Sequence, residues 1–404
     1  MADADTNARQ DELARAEATL AELERKTREA RARVQALRAR KTAVRESPPL
    51  YVTPQSPPTA QGSLTPDRIR LFRQLFRGRE DVFARLWTNP KKQTTGYAPA
   101  CANEWVRSVC EKPRIKCGEC PNQAFLPVDD KAIQGHLQGQ HVLGVYPLLR
   151  DETCWFLAVD FDGTGWRDDV ASFVETCVSR GCPPAVERSR SGDGAHTWFF
   201  FTAPVAASLA RNFGSFLLTE TMARRHQLSM RSYDRLFPNQ DTLPRGGFGN
   251  LIALPFQPTA ALKGNALFVD ATWTPYPDQW ATLASVRRLE PAHVESLVKD
   301  AARRDQIVGV RSAGLDDEAE HAAPWTRPPS GTRKAPMIPG PLPLEVRAVL
   351  AQRLFVAKAD LPSPLLNQIK RLAAFQNPEF YKKQRMRLST ALTPRVIACA
   401  EEFP

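Results

Sequence analysis

The chain has 404 residues, 42% of them hydrophobic, with 55 Lys and Arg against 44 Asp and Glu and a formal charge of +11. That composition can bury more than one core, and the basic excess suits a polyanionic partner without specifying a fold. No run approaches the roughly 20 apolar residues of a membrane span and no signal-like apolar core opens the chain, so no membrane is expected and a cytoplasmic protein is.

Residues 1–45 read as a separate helix. Leu13, Leu20, Thr27 and Val34 recur at heptad spacing, with Ala16, Leu23, Ala30 and Leu37 three places after each. A seam partly of alanine and threonine suits a lone helix leaning on another surface as well as a coiled coil, so self-association and partner docking both stay open. Residues 46–66 carry prolines at 48, 49, 54, 57, 58 and 66 and read as an extended linker.

Residues 67–150 are expected to form an N-terminal αβ part. From Asp67 the apolar stripe Ile69, Leu71, Phe72, Leu75 and Phe76 predicts an amphipathic helix, and Phe83, Leu86 and Trp87 a second short one. Arg70, Arg73, Arg77, Arg79 and Arg85 are either a solvated face or contacts for template phosphates. Cys101, Cys110, Cys117 and Cys120 follow, the last two as a C-x-x-C. Eight cysteines are too sparse for a disulfide scaffold, and four of them this close predict a structural Zn²⁺ knuckle, with His136 able to replace Cys101 as a ligand.

Residues 151–310 are the expected catalytic core. Trp155 to Val159 is a bulky apolar strand, and period-2 alternation points Asp160 and Asp162 one way and Phe161 the other. Paired carboxylates this close repel each other unless a cation lies between them, and a divalent metal is expected there. A helix (Asp168 to Arg180), a strand (Ala185 to Arg190), a glycine turn, a third strand (His196 to Thr202), a second helix (Pro204 to about His226) and a strand (Met230 to Phe237) complete a β-α-β-β-α-β order. That order predicts an α+β, RRM-like core in which the first and third strands are antiparallel neighbours. Asp160 and Asp162 then share an edge with His196, and the flanking fourth strand brings Asp234 to it. Three carboxylates can hold two divalent ions for in-line phosphoryl transfer. The turn Ser191-Gly192-Asp193-Gly194 offers backbone N–H groups to phosphates, and His196, Arg188 and Arg190 would grip a triphosphate. Arg245 and Lys263 are further phosphate contacts, and Asp278 to Asp305 reads as one helical stretch.

Residues 311–343 are proline-rich and read as a second linker, and 344–404 as a small helical unit whose Lys382, Lys383, Arg385 and Arg387 suit a nucleic-acid surface. No G-x-x-x-x-G-K-[ST] occurs, so an NTP-driven motor is not expected.

The strand with Asp160 and Asp162, followed by the turn Ser191-Gly192-Asp193-Gly194-Ala195-His196, resembles the first two motifs of the archaeo-eukaryotic primase superfamily, the primase-polymerases. Leu71-Phe72-Arg73, Phe76-Arg77-Gly78-Arg79, Asn103-Glu104-Trp105, Gly144-Val145-Tyr146-Pro147, Glu187 to Gly192, Tyr233 to Asp241 and Gly249 to Pro255 make the chain most similar to the primase domain of TOTE conflict systems. The resemblance implies Asp160 and Asp162 as Mg²⁺ or Mn²⁺ ligands, His196 on the nucleotide phosphates, and a third aspartate, Asp234 or Asp241. It also implies template-directed nucleotidyl transfer on single-stranded DNA from NTPs or dNTPs onto a primer, in a prokaryotic cell, beside a helicase and nuclease of the same system. A two-metal nuclease and a non-catalytic nucleic-acid-binding module are the alternatives.

Overall fold

A computed structural model describes residues 25, 64–225, 227, 228, 235–303, 338, 341–359, 361–388, 390 and 393–401. The chain divides into two units, Met1–Ser56 and Pro57–Pro404. Of the first, only Arg25, in helical conformation, is described. The heptad pattern therefore lies outside the described residues, as do most of the two expected linkers.

In the second unit, α1 (Pro66–Leu75) starts where the Thr65 side chain accepts from the Arg68 backbone N–H and Pro66 takes the first turn, and it buries Ile69, Phe72 and Leu75. The short helix expected around Phe83 to Trp87 is instead a strand. β1 (Ala84–Asn89) turns back at Pro90 to pair antiparallel with β2 (Thr94–Pro99). Asn89 Oδ1 caps the turn by accepting from the N–H groups of Lys91 and Lys92, and Gly96 lies against the Trp87 ring, where a Cβ would come within 2.6 Å. α2 (Asp130–Leu137) and β3 (Leu143–Val145) complete this part.

The core follows in the expected order: β4 (Thr153–Asp162), α3 (Trp166–Ser179), β5 (Ala185–Arg188), β6 (Gly194–Ala206), α4 (Ala207–Arg224) and β7 (Leu236–Phe237). β8 (Ile252–Ala253), α5 (Pro258–Ala261), β9 (Leu267–Phe268), α6 (Gln279–Ser285), β10 (Arg288–Leu289) and α7 (Pro291–Arg303) come next. The helical stretch expected from Asp278 is two helices, because Arg288 and Leu289 leave the helix to pair in parallel with Phe200 and Phe201 of β6 and Pro291 restarts it.

Two sheets result, one ordered β2-β1-β3-β8 and one ordered β7-β4-β6-β5-β9. β4 lies between β7 and β6 and is antiparallel to both, the arrangement expected of an RRM-like core. One face of the larger sheet, with Leu157, Val159, Phe161, Phe199 and Phe201, is covered by side chains of α3, α4 and α7. The other, with Phe156, Ala158, Trp198 and Phe200, packs against α1, α2 and the smaller sheet. Asp160 and His196 continue the alternation of this second face, so the site opens on the side that the N-terminal part covers.

The C-terminal residues are not purely helical. β11 (Ala348–Leu350) pairs with β12 (Leu354–Val356), and α8 (Ser363–Leu372), β13 (Ala374–Gln376), α9 (Pro378–Arg385) and β14 (Val396–Ala398) follow, with β13 paired to β14. α8 packs on α4, and Gln384 of α9 hydrogen-bonds Asp241 and Thr242 in the segment after β7. Among the described residues no helix is long and apolar enough to cross a membrane.

Candidate active site

The chemistry gathers at one end of the β4–β6 pair. Asp160 lies directly opposite His196, and Asp162 opposite Gly194. Phe161, between the aspartates, is buried in the helix-side core, which fixes both carboxylates on the other face. The strands meet closely here: a Cβ on Gly194 would stand 2.4 Å from the Phe161 carbonyl oxygen.

The turn before Gly194 is tied together by its own side chains. The Arg188 guanidinium donates to the Gly192 carbonyl at 3.3 Å, Ser191 Oγ accepts from the Asp193 N–H at 3.3 Å, and the Ser189 and Ser191 hydroxyls are 3.1 Å apart. Gly192 has a φ of +87°, a conformation that favours glycine, and a Cβ there would meet the Asn265 amide at 2.8 Å. Asn265 donates to the Arg190 carbonyl at 3.4 Å, so the loop carrying exposed Lys263 stands beside the turn. Arg190 lies against Tyr97 of β2. Burial pushes the Tyr97 hydroxyl above its ordinary pKa, and Arg190 pulls it the other way. Arg188 is thus committed to holding the turn, while Arg190 and Lys263 flank it.

Two residues that the sequence reading had not singled out complete the site. Glu187 of β5 is opposite His196 and only 1% exposed. Its Oε2 accepts from His196 Nδ1 at 3.0 Å and from Trp198 Nε1 at 2.9 Å. Burial lowers the His196 pKa, but Glu187 and then Asp160 outweigh it and the net shift is upward. Arg235, one residue before β7, places Nη1 3.0 Å from Asp160 Oδ2 and 2.6 Å from Asp162 Oδ2. Burial opposes the Arg235 charge, yet the two aspartates hold the guanidinium protonated more firmly than usual. The cation that bridges the paired carboxylates here is thus the Arg235 guanidinium, at the place where their spacing led one to expect a divalent metal.

The remaining expected ligands divide. Asp234 lies outside the described residues. Asp241 is turned to other work: it pairs with fully buried Arg211 and accepts from Gln384 Nε2 at 2.9 Å. His136 is wholly buried in α2, where Nδ1 accepts from the Leu143 N–H at 3.1 Å, which leaves Nε2 to donate to the Pro255 carbonyl at 2.8 Å. Burial pushes its pKa down to about 4, and with both nitrogens engaged it serves the core and not a metal.

Cys101, Cys110, Cys117 and Cys120 are free thiols that line one cavity of about 20 Å³, with Glu104 and Lys112. The Lys112 ammonium donates to Glu104 at 2.8 Å. Among the described residues no group of three or more His, Cys, Asp or Glu is drawn together closely enough to hold a metal. The segment between Cys117 and Cys120 has a tight neighbour, since a Cβ on Gly118 would fall 1.8 Å from the Gly246 carbonyl oxygen.

The family model of the TOTE conflict system archaeo-eukaryotic primase domain matches residues 67–297. The chain belongs to that family. No curated protein matches it. Among solved structures, the polymerase domain of Mycobacterium tuberculosis ligase D in complex with DNA is similar over 60% of this chain and 88% of its own, at 15% identity and a TM-score of 0.29. The match to the primase domain spans α1 through most of α7, and so takes in both sheets, the cysteine cavity and the acidic edge. Within this primase domain, Glu187 could have been found by counting outward from the glycine turn, which makes it the cross-strand partner of His196. Arg235 carried no such signal.

Proposed function

We propose that the chain is a primase-polymerase that joins nucleotides on a single-stranded DNA template. The observation that carries this reading is the strand register: Asp160 against His196 and Asp162 against Gly194 put two carboxylates, an imidazole and a glycine turn at one edge. Asp160, Asp162 and, from the third motif, Asp234 would hold two Mg²⁺ or Mn²⁺ ions, whose chemistry is to activate a primer 3′-hydroxyl and neutralise the departing pyrophosphate. His196 Nε2 and the N–H groups of the Ser191–Gly194 turn would bind the triphosphate, with Ser191, Arg190 and Lys263 beside it. Arg188 keeps the turn in shape.

The four cysteines are the set that would take a structural Zn²⁺ once drawn in around their shared cavity, with Lys112, Arg114 and Lys116 available to the template or the initiating nucleotide. A helicase and a nuclease of the same conflict system would be its partners, and the N-terminal segment a means of self-association.

The test is extension and de novo synthesis on single-stranded DNA with ribo- and deoxyribonucleotides, with and without Mn²⁺. Template-dependent products that vanish in an Asp160→Ala, Asp162→Ala chain are expected. Degradation of labelled template in the absence of nucleotides would instead make it a nuclease, and a double variant matching the wild type throughout would make it a binding module.

A further inference from the structure

The geometry points to Glu187 as the positioning residue for His196, an inference that rests on the primase-polymerase reading of the site. A carboxylate on a buried strand is costly unless hydrogen bonds compensate it. Glu187 is 1% exposed, and the two N–H donors that meet its Oε2 are His196 Nδ1 at 3.0 Å and Trp198 Nε1 at 2.9 Å. Both lie on β6, on the face that looks into the site: His196 is the direct cross-strand partner and Trp198 the diagonal one.

The consequence for the imidazole is specific. With Nδ1–H given to Glu187, the ring is held edge-on, 86° from the Trp198 plane, and Nε2 is presented toward the acidic edge. At 3.7 Å from Asp160 Oδ1, Nε2 is beyond hydrogen-bond distance of that carboxylate and is directed where the nucleotide's phosphates would arrive. A rotated ring would turn Nε2 away from the turn and leave Asp160 facing a carbon edge. Glu187, 1% exposed, has His196 and Trp198 as its partners and no open path to the site. It acts through His196, as the outer partner of a metal-bound histidine fixes that ring's tautomer and angle.

Three measurements on the full chain test this. In ¹⁵N-histidine spectra, with His196 assigned by its loss in a His196→Ala chain, the wild type should show a protonated, hydrogen-bonded Nδ1 that is lost in Glu187→Ala and kept in Glu187→Gln, whose amide oxygen still accepts. Calorimetry with ATP and no template should show Glu187→Ala weakening binding by about tenfold, the scale of a lost hydrogen bond to a charged group, with Glu187→Gln recovering most of it. In a His196→Ala background Glu187→Ala should cost nothing further. An equal loss in both backgrounds, or a Nδ1 signal that ignores Glu187, overturns the positioning role while the nucleotide reading stands. A wild-type chain that binds no ATP overturns both. Should Glu187→Ala fail to fold, Glu187→Gln is compared in the two backgrounds: near-wild-type binding beside His196 and no effect without it are expected, and an equal loss in both refutes the role.

Discussion

Arg235 settles how two aspartates can sit on one strand face without a metal. Its guanidinium stands 3.0 and 2.6 Å from their Oδ2 atoms and cancels the repulsion that their spacing creates. Any divalent ion that uses Asp160 and Asp162 competes with it. Both pairs are partly exposed and so are worth only about 1 kcal/mol together, which makes Arg235→Ala tighten Mn²⁺ binding by about fivefold. Titration calorimetry checks this, and unchanged affinity would show that Arg235 and the ion do not share the carboxylates. The aspartates were legible in the sequence because alternation fixes their common face. Arg235 was not, because an arginine beside an acidic strand end reads like any solvated charge, and only pairing with β4 brings it back across the site.

Elements were legible where one strand or helix carried its own pattern, and lost where the deciding contact was distant. β4, β6, α3 and α4 announce themselves by apolar runs and helical spacing. The β1–β2 hairpin does not: Phe83, Leu86 and Trp87 fit a helical stripe, and what overrides it is the Asn89 turn and pairing with Thr94–Pro99. The C-terminal residues were misjudged for the same reason, since β13 and β14 pair across the intervening α9.

At this scale the β4–β6 contact leaves no room for a side chain at Gly194. Gly194→Ala places a methyl 2.4 Å from the Phe161 carbonyl and must part the strands at the acidic edge. A loss of about 1–3 kcal/mol in urea unfolding, with lower activity, is expected. α2 offers a pH test. His136 has a pKa of about 4 in the fold against 6.5 ordinarily, so between those values the unfolded chain binds a proton that the folded one refuses. Stability held above pH 6.5 therefore falls as the pH drops toward 4, by up to about 3 kcal/mol. Urea midpoints at pH 7 and pH 5 measure it, and His136→Gln, weaker at pH 7, should show a flatter profile.

For the second unit as a whole, the segment after β7 is where separate parts meet. Gly246 lies under Gly118 of the cysteine-bearing segment, Phe248 packs on Phe125 and Tyr146, and Asp241, Thr242 and Leu243 bind Gln384 and Arg387 beyond. Arg211 and Asp241 anchor it. Asp241→Ala would leave the buried arginine uncompensated, at a cost of about 3–5 kcal/mol, and loosen the C-terminal residues, which limited proteolysis would show as earlier cleavage there. On the function proposed above, single-stranded DNA binding by this basic chain, of net charge +11, should fall with salt, by about 0.7 in log–log slope for each phosphate contacted. A salt-independent affinity would speak against a backbone-reading surface. Little of this meeting of parts could be read from the sequence, because all but the Arg211–Asp241 pair join residues more than a hundred positions apart.

The internal counter-ion at the acidic edge also bears on how this molecule matures. A sheet whose carboxylates already have a positive partner from the same chain can finish folding in a metal-poor cell. On the function proposed above, magnesium or manganese would then join as an exchangeable guest, and withdrawing it should silence the chemistry while lowering the melting of this sheet only by what the ion's own affinity contributes.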